Sequence, residues 1–130
     1  MATKISYTLA LLLGLGMIFI GARFLLSPEV ATTGYGLHMN AQDDHSFQYI
    51  KGIRDIFSGF LLCVFVAINE RRALGITLLA GTMIPLTDML IVLSKSYNGI
   101  VQAMPHIIAI IICSVFGILL LATKPQQKAL

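Results

Sequence analysis

Apolar runs broken by short polar interruptions dominate the chain, and four of them approach the ~20 residues a helix needs to cross a bilayer. They cover residues 5–26, 50–68, 73–93 and 100–123. Ser27, Pro28 and Glu29 end the first run, because proline cannot extend a helical hydrogen-bond ladder and disfavours helical geometry in the residue before it. Asn69, Glu70, Arg71 and Arg72 join the second run to the third, and so tight a turn forces an antiparallel pair. A short stretch over 94–99 leads to the fourth run, which Lys124 and Pro125 stop. The pattern predicts an all-α integral membrane four-helix bundle of antiparallel up-down topology, in a single domain over residues 1–130. The one long connection, residues 27–49, carries Gly34, Gly36, Asn40, Asp43 and Asp44 together with aromatic residues. It reads as an interfacial turn or lid.

Composition agrees: 57% of residues are hydrophobic and 12% charged, with a mean hydropathy of +0.86. Soluble domains carry roughly 25% charged residues. The apolar stretch over 5–22 outlasts the ~7–15 residues of a signal-peptide core, so the first run is expected to stay as a helix. A leader is the alternative, since Lys4 and small residues near Ala31 sit where processing signals would. The net charge of +3 is assigned to orientation against the bilayer rather than to nucleic acid. Lys4, Arg71, Arg72, Lys124 and Lys128 fall on one side. Lys95 alone stands opposite them once the membrane-edge cations Arg23, Lys51 and Arg54 are set aside as parts of a site. That bias places both termini in the cytoplasm.

The depth of the ionisable residues is the informative step. Because alternate helices run in opposite directions, Arg23 near the end of the first span, Lys51, Arg54 and Asp55 at the start of the second, Asp88 near the end of the third and His106 near the start of the fourth all converge in one leaflet. Helical spacing adds small-residue stripes that carry these groups inward: Gly16 with Arg23; Gly52, Asp55 and Gly59; Thr77, Gly81, Pro85 and Asp88; His106, Ile110, Cys113 and Gly117. A charge in hydrocarbon costs about 2.5–3.5 kcal/mol on insertion scales, so pairing is expected. Arg23 and Arg54 are predicted to be balanced by Asp55 and Asp88, with Lys51 snorkelling to the headgroups. Such residues mark functional sites by default; a purely structural ion-pair network is the competing reading.

The run Lys51-Gly52-Ile53-Arg54-Asp55-Ile56-Phe57-Ser58-Gly59, with Ser27-Pro28-Glu29 and Tyr35-Gly36 before it and Pro85-Leu86-Thr87-Asp88 and His106 after it, resembles a family of small hydrophobic membrane proteins classed as a domain of unknown function. In outline that family is similar to the DoxX-like four-helix proteins. The resemblance spans nearly the whole chain, implies a four-helix membrane bundle, and draws attention to Arg54, Asp55, Asp88 and His106. It implies no activity.

Other residues have simpler readings. His106 titrates near neutrality and can serve as general acid or base, or sit as a satisfied histidine against Asp88 or a backbone carbonyl. His38 and His45 lie near Asp43 and Asp44 without the spacing of a compact metal site, and no metal or cofactor is expected. Cys63 and Cys113 read as packing groups, Met17, Met83, Met89 and Met104 as core filling, and Tyr7, Tyr49 and Tyr97 as interface anchors. Motifs of serine hydrolases, phosphate-binding loops and zinc proteases are absent from the sequence. The leading expectation is a pocket for a small lipophilic molecule, in which Arg23, Lys51 and Arg54 bind the ligand while Asp55, Asp88 and His106 act as acid–base groups in an isomerase or cyclase. The alternative is an interaction or accessory subunit, homo-oligomeric through its glycine faces, in which the cluster only locks the fold.

Overall fold

The computed structural model describes residues 2–39 and 44–123, and the regular elements among them are all helical. In chain order they are α1 (Ala2–Leu26), α2 (Pro28–Gly34), α3 (Ser46–Ala67), α4 (Arg71–Gly81), α5 (Met83–Leu93) and α6 (Ile100–Ala122). The stretches Lys4–Leu26, Arg71–Leu93 and Ile100–Ala122 are long and apolar enough to cross a membrane. The chain is therefore an all-α integral membrane protein in contact with the bilayer. Asn40 and Asp43 of the connection, and Lys124, Pro125 and Lys128 at the other end, lie outside the described residues.

Each departure from the sequence expectation has a local cause. The connection 27–49 is not one loop: Pro28 opens α2, where its missing N–H goes unneeded, and the Thr32 hydroxyl donates to the Pro28 carbonyl at 2.7 Å. α3 starts at Ser46 rather than at residue 50, because the Asp44 carboxylate accepts the Ser46 N–H at 3.0 Å and so satisfies a free helix-start donor. The Ser46 hydroxyl donates to the same carboxylate oxygen at 2.5 Å, and this bond, then the one from the Ser46 N–H, holds the Asp44 carboxyl below its ordinary range. The turn after α3 is shorter than expected, and Arg71 and Arg72 belong to α4. Asn69 takes the left-handed conformation (φ 59°), while Glu70 N–H donates to the Phe65 carbonyl at 2.9 Å and Asn69 N–H to Val66 at 3.2 Å. This is the Schellman end of a helix, in which asparagine is one of the few residues to accept a positive φ.

The third run is interrupted at Thr82. Pro85 has no N–H to offer the Gly81 carbonyl and its ring crowds that turn, so α4 and α5 form one rod whose hydrogen-bond ladder is interrupted at its middle, while Thr82 itself keeps helical dihedrals (φ −60°, ψ −27°).

α1 packs most closely on α3; α6 packs on both α4 and α5, and lighter contacts join α1 to α6 and α3 to α4. Gly14 faces Gly59 and Gly21 faces Gly52. A Cβ on Gly21 or Gly59 would strike the opposite carbonyl, and one on Gly14 would lie 2.8 Å from the Gly59 oxygen. This seam corrects the stripe expected at Gly16, which has nothing within 4 Å of a Cβ. A second close approach pairs Gly75 with Gly117, where a Cβ would meet Leu79 at 2.8 Å. The buried cluster Ala10, Leu62, Leu74, Leu78, Cys113 and Leu120, flanked by Tyr7 and Met17, fills the half of the molecule next to the α3–α4 turn. Tyr7 thus packs on the core instead of anchoring an interface. Met83 and Met104, expected inside, are 68% and 44% exposed on outward faces, where lipid solvates them as well as a core would.

Candidate functional site

The opposite half of the molecule is hollow. A cavity of about 400 Å³ has an apolar floor of Leu13, Met17, Leu62, Leu78 and Cys113 and a polar end formed by Arg23, Tyr35, Lys51, Asp55, Asp88 and His106. α1 delivers Arg23 from its last turn, α3 delivers Lys51 and Asp55 from its first half, α5 brings Asp88, α6 brings His106, and Tyr35 follows α2. The predicted stripe Thr77, Gly81, Pro85 and Asp88 lines this cavity along its full length.

Two contacts organise the polar end. The Tyr35 hydroxyl donates to Asp88 Oδ2, and Lys51 Nζ lies 2.9 Å from Asp55 Oδ2. The two pairs touch, because the same Lys51 ammonium stands 4.5 Å from the Tyr35 ring centre and 5.2 Å from that of Phe24, within cation–π range. His106, buried, meets the Tyr35 ring edge-on at 4.7 Å. Burial first, then the hydrogen bond to Asp88 and the charges of Asp88 and Asp55, push the Tyr35 phenol well above its ordinary range. It is a firmly protonated donor.

α2 and the residues after it cover this end. Ala31 and Thr32 are buried, Gly36 takes a positive φ of 88°, and its carbonyl accepts from Asn98 Nδ2 at 2.5 Å. Asn98 donates also to the Val92 carbonyl at 3.0 Å. The His38 ring stacks on Tyr97 with centres 3.9 Å apart. The α5–α6 turn thereby holds the segment carrying Tyr35 in place. His45 lies 3.9 Å from Glu29.

Five of the six residues singled out from sequence, Arg23, Lys51, Asp55, Asp88 and His106, line the cavity; Arg54 does not. It is exposed, because one residue along a helix turns a side chain by about 100°, and Asp55 takes the inward direction. The pairing expected of Arg23 and Arg54 with the aspartates is not formed: the ion pairs among the described residues are Lys51–Asp55 and His45–Glu29. Lys51 turns to Asp55, one helical turn away, instead of snorkelling. Tyr35 and Phe24 were not predicted as site residues. Nothing periodic marks Tyr35, and Phe24 looked like one more apolar residue of α1.

The chain belongs to the DUF4267 family. The match covers residues 14–120 and the family is described as a domain of unknown function. It takes in the glycine seam and all the cavity-lining residues except Leu13. No curated protein and no solved structure matches the chain. For this DUF4267 chain, chemical inference therefore starts from the cavity itself.

Proposed function

We propose that this DUF4267 chain is a single-domain four-helix antiparallel bundle whose cavity binds a small lipophilic molecule, with α3 as the fourth crossing and both ends of the chain on the cytoplasmic side. The reading rests on the cavity: its volume lies within the range of about 300–1,000 Å³ typical of ligand sites, and it has the usual design of apolar walls with a few converging polar groups. The charges of α3 sit in its first half, where Lys51 and Asp55 neutralise each other and Arg54 reaches the headgroups. Arg23 and Lys51 orient the ligand's polar end. Asp55, Asp88 and His106 accept or move protons, with Tyr35 donating to Asp88; this is the equipment of an acid–base isomerase or cyclase. The glycine faces favour this reading over a partner-binding subunit, since Gly14, Gly21, Gly52, Gly59, Gly75 and Gly117 make their contacts within the chain.

Purification in lipid nanodiscs followed by native mass spectrometry and extraction tests the proposal. Wild type is expected to retain a small molecule, and Gly81→Leu to lose it, since a side chain at Gly81 would enter the open space beside it. A wild-type protein that emerges empty, together with Asp88→Asn indistinguishable from it in a metabolite comparison, would reject the proposal.

A further inference from the structure

The walls of the cavity are not equally closed. α1–α3, α3–α4, α4–α6, α5–α6 and α1–α6 all pack on one another, but no comparable interface joins α3 to α5. Facing that slot are Asp55, Ser58 and Leu61 from α3 and Gly81, Ile84, Pro85 and Asp88 from the broken rod. Ile84 both lines the cavity and is 48% exposed, which places it on the rim between cavity and surrounding lipid. The lid side is the reverse: Asn98 ties Gly36 to Val92, and the His38–Tyr97 stack closes the segment beyond.

The charges of the polar end also discriminate. Among the lining residues Arg23 and Lys51 face Asp55 and Asp88, so the formal charges cancel. A charged head would unbalance them in a low-dielectric site. Lys51 is held by Asp55 and the Tyr35 hydroxyl by Asp88, whereas Arg23 has no ion pair among the described residues. Gln102, also on the lining, uses its Oε1 to accept the Gly99 N–H at 2.9 Å, which leaves its amide N–H groups to donate. The donors left over on Arg23 and Gln102 call for an acceptor, and the charge balance calls for a neutral one.

We infer that the occupant is a neutral lipophilic molecule with one carbonyl head, dissolved in the bilayer and loaded sideways through the slot between α3 and α5. This rests on the cavity being a binding site, as proposed above. The apolar tail lies on the floor near Leu62 and Cys113, and the carbonyl oxygen accepts from Arg23 and Gln102.

The test uses the full chain in nanodiscs, mixed with vesicles carrying dodecanone, dodecanoate or dodecylamine, with retention followed over time by native mass spectrometry. Dodecanone is expected to be retained, and Gly81→Leu to abolish its retention. The two charged analogues are expected to be retained about tenfold less, the ratio that about 1.4 kcal/mol of differential affinity produces. Ile84→Trp, narrowing the rim, is expected to slow loading about tenfold, while Asn98→Ala, loosening the lid, leaves the rate unchanged. Ile84→Phe serves in its place should the tryptophan variant fail to fold. Retention of either charged analogue equal to that of the ketone overturns the ligand class. Faster loading in Asn98→Ala with no effect at Ile84 overturns the route. Neither result touches the binding site itself, whereas failure of all three probes, with wild type and Gly81→Leu alike in extracted lipid, overturns the site and this inference together.

Discussion

Tyr35 joins the lid to the half-buried Asp88, and its loss should be read in two ways. Tyr35→Phe takes the hydroxyl donor from Asp88 while keeping the ring under Lys51 and beside His106. Stability should fall by about 1–3 kcal/mol, the cost of leaving a buried polar group without its partner, measured by thermal unfolding in detergent. The same residue sets an alkaline limit. Its folded pKa is raised above the value of about 10 it has in the unfolded chain, so the stabilisation is complete below that pH and is lost as pH climbs through the folded value. Wild type should weaken on titration above about pH 10, and the phenylalanine variant should show a flatter profile; equal slopes would remove Tyr35 as the cause. The family resemblance included Tyr35-Gly36 but assigned the tyrosine no role, and helical spacing carries no information in the connection after α2. Asp55 and Arg54 were a different problem: adjacent on one helix, only one of them can face inward, and the spacing shared with Gly52 and Gly59 pointed to Asp55 although Arg54 was also expected at the site. The structure decides for Asp55, whose neighbour one turn earlier is Lys51.

At the scale of elements, the α1–α3 seam yields a matched pair of substitutions. Gly21→Leu must force apart two backbones, since even a Cβ there meets the Gly52 carbonyl. Overpacking of this kind costs about 1–3 kcal/mol. Gly16→Ala enters open space and should be neutral or gain up to about 1 kcal/mol from helix propensity. Thermal melts of the two variants side by side check this, and a comparable loss at Gly16 would contradict the seam. Both glycine pairs lie seven residues apart, as Gly16 and Arg23 do, so spacing offered two equivalent faces. What selected between them is the register with α3, where Gly52 and Gly59 repeat the same interval. The break at Thr82 was visible in the sequence as Pro85, though not the fact that it ends one helix and starts another. Pro85→Ala would return an N–H to the Gly81 carbonyl; hydrogen exchange across residues 82–86 should slow, and unchanged protection would mean that the proline is not what interrupts the rod.

For the whole molecule, the convergence of ionisable residues at one level was legible because it follows from two robust quantities, the length of apolar runs and their alternating direction. The cavity was not, since an absence of packing depends on how helices tilt and on which side chains are small at their contacts. Gly81→Leu should nevertheless empty the site without unfolding the protein: a Cβ at Gly81 meets open space and Gly81 is no part of the buried cluster, although Leu62, Leu78 and Cys113 serve core and cavity floor alike. Its melting temperature should stay within a few degrees of wild type, as expected for a change of under about 1 kcal/mol. A collapse would mean that the two halves are mechanically one.

The cancellation of Arg23 and Lys51 against Asp55 and Asp88 reaches beyond ligand choice. An electric field across the bilayer does about 2.3 kcal/mol of work per elementary charge moved through 100 mV. A neutral guest that slips between hydrocarbon and an electrically silent chamber moves none. Energisation of the membrane then neither drives this exchange nor opposes it, and loading follows the guest's concentration in the lipid alone.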